Sequence, residues 1–108
     1  MWIFTSRGFI SIVRHRDRPE FYQVRSRVAA PLEALWPSHE IEAIEWADYR
    51  YRITIEKSEA LPVLLDAVNS IDYTNFKAAC TDDDEYQWAL GRVWRVMLEY
   101  QARSEVAR

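Results

Sequence analysis

The chain has 108 residues, 49% hydrophobic and 29% charged, with two glycines and four prolines, which is a folded-domain profile and neither disordered nor collagen-like. Fourteen basic and seventeen acidic residues leave a formal charge of −3, so net charge alone gives no case for nucleic-acid binding. A single cysteine, Cys80, excludes an internal disulfide and a multi-cysteine zinc site, and the wide separation of Gly8 and Gly91 excludes a glycine-rich phosphate loop.

The longest apolar run, residues 60–65, falls far short of the ~20 residues of a membrane helix. The apolar start is broken at once by Ser6-Arg7-Gly8, so no secretory leader is expected. A lone thiol fits a reducing interior, and the expected location is cytoplasmic. Neither a cofactor nor a metal is expected.

The first half reads as strands. Residues 2–5 and 9–16 are rich in aromatic and β-branched side chains, with Ser6-Arg7-Gly8 as the tight loop between them. Gly8 supplies the positive φ that such loops often need. A turn at residues 16–19 leads into a strand over 21–28, where Tyr22, Val24, Ser26 and Val28 alternate with Gln23, Arg25 and Arg27. Pro31 opens a short helix that Pro37 stops. Residues 40–44 form a short strand, followed by a turn near Trp46 and Asp48. The clearest strand is 49–57: Tyr49, Tyr51, Ile53 and Ile55 point one way, and Arg50, Arg52, Thr54 and Glu56 the other.

Helices follow. Ser58 is the expected N-cap of the next one, with Leu61, Leu64, Leu65, Val68 and Ile71 as its apolar stripe. After a break near residues 69–72, a helical turn includes Phe76, Lys77 and Ala78. Asp82-Asp83-Asp84 then opens a final helix whose core face is Tyr86, Leu90, Val93, Met97 and Tyr100. Strands first and helices last define an α+β class, one domain over 1–108. The expected form is a mostly antiparallel sheet of four to five strands, covered on one face by the two long C-terminal helices. A ferredoxin-like arrangement is one order that this pattern allows.

Four blocks carry a resemblance. Met1-Trp2-Ile3-Phe4-Thr5 with Gly8-Phe9-Ile10-Ser11-Ile12-Val13, then Asp48-Tyr49-Arg50-Tyr51-Arg52, then Ile71-Asp72-Tyr73-Thr74-Asn75-Phe76-Lys77, and last Val93-Trp94-Arg95-Val96 resemble a family of small bacterial proteins of uncharacterised function. The resemblance implies a free-standing, one-domain bacterial protein and brings no activity, cofactor or catalytic residue with it.

Several constellations bear on chemistry. Asp72, Tyr73, Asn75 and Lys77 place a carboxylate, a phenol, an amide and an amine within two turns, the basis of an alternative reading as a small acid–base enzyme. The plainer reading has Asp72 capping a helical turn, Tyr73 and Phe76 packing, and Lys77 solvated. Asp82 to Glu85 lacks calcium-loop spacing and reads as a helix start. Cys80 reads as a small buried hydrophobe rather than a nucleophile served by His15 or His39. Trp88 and Trp94 widen the apolar surface of the final helix and suggest a homodimer through it.

Charge is uneven along the chain. Six arginines face only Asp17 and Glu20 within residues 1–30, while the remainder carries eight basic and fifteen acidic groups. Strand alternation gathers Arg25, Arg27, Arg50 and Arg52 on one sheet face, with Arg14 and Arg16 expected to join them. Glu42, Glu45, Asp48 or Glu56 are the acids within reach. The leading expectation is a non-enzymatic binding or regulatory module that holds an anionic partner on this face. An acidic protein surface is favoured over nucleic acid, because the acidic remainder repels long polyanions.

Overall fold

The computed structural model describes residues 1–106, and the chain divides into two compact units, Met1–Asp72 and Tyr73–Arg108. In the first unit β1 (Trp2–Thr5), β2 (Gly8–Arg14) and β3 (Phe21–Ser26) run as a meander, followed by helix α1 (Ala30–Leu35), the two-residue β4 (Glu42–Ala43), β5 (Tyr51–Glu56) and helix α2 (Lys57–Asn69). The second unit holds α3 (Phe76–Ala79) and α4 (Asp84–Val106). The fold is α+β: a five-stranded sheet in the order β1-β2-β3-β5-β4, antiparallel at every pairing, with helices that include a long C-terminal one. A split βαβ repeat interleaves a helix after its first strand; here three strands follow one another as neighbours before any helix forms. Among the described residues no helix is long and apolar enough to cross a membrane.

Alternation decides which side chains meet. Thr5 pairs with Gly8, so Ser6 and Arg7 alone form the β1–β2 loop and set the register of everything beyond it. Ile3 faces Ile10, Ile12 faces Val24, and Val24 faces Ile53, so one sheet face carries two neighbouring aliphatic rows. With Ile55, Leu32, Trp36 and Ala60 these residues form the buried core. The cover over that face is made by α1, through Pro31 and Leu32, and by the first turns of α2, through Ala60, Val63 and Leu64. Of the two long helices, α2 packs on this face, and α4 belongs to the second unit.

The two expected helical stripes hold only in part. On α2 the residues against the core are Ala60, Val63 and Leu64, while Leu61, Leu65, Val68 and Ile71 are exposed. The helix starts directly at the end of β5, at Lys57, with Glu56 in the N-cap position and no side-chain cap bond, so Ser58 is not the cap. That start fixes the rotation of the helix one residue away from the expected stripe. Pro62 then lies inside the helix, beyond its first turn. On α4 Leu90 is buried and Tyr86 and Val93 are half-buried, yet Met97 is 55% and Tyr100 64% exposed. The expected core face is real over the first half of α4 and ends before Met97.

Gly8 shows how tightly the hairpin meets α1. Its φ is +136°, a region that side chains rarely adopt, and a Cβ there comes 2.9 Å from Pro31 Cβ and 3.0 Å from its Cγ. Backbone strain and the clash with a rigid ring act together, so Gly8→Ala is expected to lower unfolding free energy by about 2–3 kcal/mol. Urea denaturation checks this; an unchanged midpoint and slope contradict it.

Candidate functional site: the second face of the sheet

The face opposite the aliphatic core carries the candidate site side chains. One row crosses all five strands, Trp2–Ser11–Arg25–Arg52–Glu42, each residue in register with the next. Arg25 and Arg52 therefore stand directly opposite each other, a like-charge pair that a sheet disfavours. The Arg25 guanidinium donates from Nη2 to Ser11 Oγ at 2.9 Å, and Arg52 donates from Nη2 to the Tyr49 carbonyl at 3.0 Å. The Nε atoms of both arginines are buried and have no hydrogen-bond partner among the described residues.

Tyr49 organises the arginines. Its ring is only 6% exposed, with the Arg25 guanidinium carbon 4.6 Å and that of Arg27 4.4 Å from its centroid. Arg27 donates from Nη1 to Asp48 Oδ1 and to the Asp48 carbonyl, both at 3.0 Å. That hydrogen bond to Asp48, reinforced by its charge and by Tyr49, outweighs the effect of desolvation and raises the Arg27 pKa further. Sequence alternation puts Tyr49 with Tyr51, Ile53 and Ile55, and the structure corrects this. β5 begins at Tyr51, and Tyr49 lies in the bend before it, so its ring packs on the arginine side.

Three of the four expected arginines, Arg25, Arg27 and Arg52, meet around Tyr49. Arg50 is exposed just before β5, and no hydrogen bond, ion pair or ring contact joins it to the others. Arg14 does not join them: its register partner is Tyr22, which places it on the aliphatic face, and Arg16 lies beyond β2. Of the four acids considered, Asp48 alone forms an ion pair among the described residues, with Arg27. Glu42 is the register partner of Arg52 but exposed, and Glu56 accepts from Ser58 Oγ at 3.5 Å.

Sequence reasoning misses the aromatic half of this face. Phe4 and Phe9 stack with ring centroids 4.7 Å apart, Trp2 meets Phe9 edge-on at 5.9 Å, and Phe9 lies 6.4 Å from Tyr49. Trp2 remains 69% exposed. The signal is present in the loop: two residues between Thr5 and Gly8 dictate that Phe4 opposes Phe9 and Trp2 opposes Ser11.

The other constellations make the following contacts. Asn75, not Asp72, is the cap, accepting from the Ala78 N–H at 3.1 Å. Lys77 Nζ lies 4.7 Å from the Trp94 ring centroid, and the Tyr73 and Phe76 rings are 5.8 Å apart. Among the described residues no hydrogen bond joins the side chains of Tyr73, Asn75 and Lys77 to one another. Asp83 caps α4 by accepting from the Tyr86 N–H at 3.1 Å. Burial, and then Asp82, pushes the Cys80 thiol up, away from thiolate chemistry. His15 Nδ1 accepts from the Asp17 N–H, and His39 Nε2 lies 2.8 Å from Glu59 Oε2.

No family model, curated protein or solved structure matches the chain. The reading of the site therefore rests on its geometry.

The second unit has a titration of its own. Burial, then Cys80 and Tyr73 nearby, raises the Tyr86 phenol well above its ordinary value. The unfolded chain loses this proton near pH 10 while the folded chain keeps it. The stabilisation is thus fully present below about pH 10 and is lost as pH rises from there through the raised value. Tyr86→Phe should flatten the alkaline limb of the stability–pH curve. An alkaline limb identical in the two proteins contradicts the assignment.

Proposed function

We propose that the protein is a non-enzymatic binding module of the bacterial cytoplasm that holds an acidic protein segment on the arginine face of its sheet. The observation that carries this reading is the like-charge pair Arg25–Arg52, set directly opposite across β3 and β5, with no carboxylate paired to either among the described residues. Arg27 stands beside them on the same tyrosine ring, and Asp48 is the single carboxylate paired within the cluster. An incoming carboxylate offsets the repulsion and accepts the planar, two-pronged donation that guanidinium groups favour.

Two features favour an acidic polypeptide over nucleic acid. Glu42 and Glu56 are exposed on the same face, next to the arginines in register and sequence, and disfavour a continuous phosphate backbone. Phe4 and Phe9 are stacked on each other instead of lying open to receive bases, and of the Trp2, Phe4, Phe9 and Tyr49 rings on this face Trp2 is the broadly exposed one. A partner with carboxylates beside an apolar side chain meets both the guanidiniums and the Trp2 edge.

The test is binding of the intact protein to poly-glutamate and, separately, to a single-stranded oligonucleotide across a salt series. Poly-glutamate should bind, weaken steeply with salt, and lose roughly tenfold or more in affinity in Arg27→Gln and in the double variant Arg25→Gln/Arg52→Gln. Arg27 lies on the same tyrosine ring with about half of its side chain exposed, so its variant separates loss of binding from loss of folding. Equal poly-glutamate affinity in wild type and both variants, or tighter binding of the oligonucleotide, contradicts the proposal.

A further inference from the structure

The position of Asp48 is set by the arginines of the site. Arg27 donates from Nη1 to the Asp48 carbonyl and Arg52 from Nη2 to the Tyr49 carbonyl, both at 3.0 Å, so two guanidiniums hold consecutive carbonyls of the bend before β5. The Ile44 N–H donates to the Arg50 carbonyl at 2.8 Å and closes the same bend from the β4 side. None of these bonds uses the Asp48 carboxylate. That group is free to act on Arg27 alone.

The bond it makes there is weak in form. Arg27 reaches both acceptors of Asp48 from one nitrogen, Nη1, and the carboxylate accepts through one oxygen, Oδ1. The parallel, two-pronged pairing that strengthens guanidinium–carboxylate bonds is not made. The Asp48 side chain is also 79% exposed and that of Arg27 54%, which puts the pair among surface ion pairs of small net value. Tyr49 supports the Arg27 guanidinium through its ring, a contact that does not depend on the carboxylate. Toward β1 the cluster borders uncharged groups, Ser11 beside Arg25 and then the aromatic shelf of Trp2, Phe4 and Phe9.

We propose that Asp48 is a resident stand-in for a carboxylate of the partner, one that occupies Arg27 in the free protein and is displaced when an acidic segment binds. This rests on the binding reading given above and narrows the class of partner. Arg25 and Arg52 have no carboxylate paired to them among the described residues, so a first acidic side chain meets them without competition. Arg27 is reached only by a carboxylate that replaces Asp48, and a two-pronged one does so by making the bond that Asp48 does not. An isolated carboxylate therefore leaves Asp48 in place. A segment with two closely spaced acids engages all three arginines, and Asp48 makes the site discriminate between the two cases.

Titration with poly-glutamate, which presents closely spaced carboxylates, tests this on the full chain at fixed salt. Asp48→Asn and Asp48→Ala should bind about two- to fivefold tighter than the wild type, the range that one exposed ion pair allows. The gain should vanish in the Arg27→Gln background, because the competition acts through that guanidinium. Glu33→Gln makes the same change of charge at an exposed position of α1, on the other side of the sheet, and should leave the affinity unchanged. Circular-dichroism melting curves of both Asp48 variants should overlay that of the wild type, since the backbone bonds that hold the bend remain. A wild type that binds, with no gain in either Asp48 variant, overturns the inference and leaves the binding reading standing. An equal gain in the Arg27→Gln background or in Glu33→Gln also overturns it, since Asp48 then acts as one negative charge among others. Absence of binding in all of these proteins overturns both.

Discussion

Arg25 and Arg52 face each other on the two central strands, and the rest of this sheet face is arranged around the repulsion between them. Each guanidinium keeps one hydrogen bond, Arg25 to Ser11 and Arg52 to the Tyr49 carbonyl, while its Nε stays buried and unpaired. An unsatisfied buried donor costs about 1–3 kcal/mol, more when charged. Tyr49 partly compensates by placing its ring against Arg25, and it gathers Arg27 to the same ring. Directly beneath, Val24 and Ile53 are opposed in the same two strands and are almost wholly buried. The aliphatic pairing holds the strands in the register that forces the arginines together.

The two faces of one sheet thus have opposite roles. Ile10, Val24, Ile53 and Ile55 meet α1 and α2 and supply the stability; Trp2, Phe9, Arg25 and Arg52 alternate with them and make the surface proposed for binding. A one-residue slip of β3 would exchange the two sets, so the tight Ser6–Arg7 loop and the Gly8–Pro31 contact matter to the site as much as to the fold. The arginine face then follows from packing on the other side.

Much of this was legible in the sequence, because period-two alternation is a local property. Strands β1, β3 and β5, the short helix at Pro31, the Gly8 turn and the acidic start of α4 all follow from residue order, and so does the grouping of Arg25 with Arg52. What failed depends on where an element begins. Alternation puts Tyr49 on the wrong face because the strand starts two residues later, and the apolar spacing misplaces the α2 stripe because the helix starts at Lys57, flush with β5. Arg14 was misassigned for a related reason: its face depends on the β2–β3 register, which places it against Tyr22. The aromatic shelf was missed although the length of the hairpin loop encodes it. The apolar spacing of α4 gave no warning that burial ends before Met97, since helical periodicity does not report what lies opposite.

The central claim is that Arg25 and Arg52 are held in wait for a carboxylate. Arginine side-chain Nε–H resonances of the isotope-labelled chain, followed during titration with poly-glutamate, test it most directly. The account predicts that the Nε–H signals of Arg25 and Arg52 shift together with a single, salt-sensitive affinity, while those of Arg14 and Arg16 stay in place. Shifts spread evenly over all arginines, or confined to those outside the Tyr49 cluster, would contradict it.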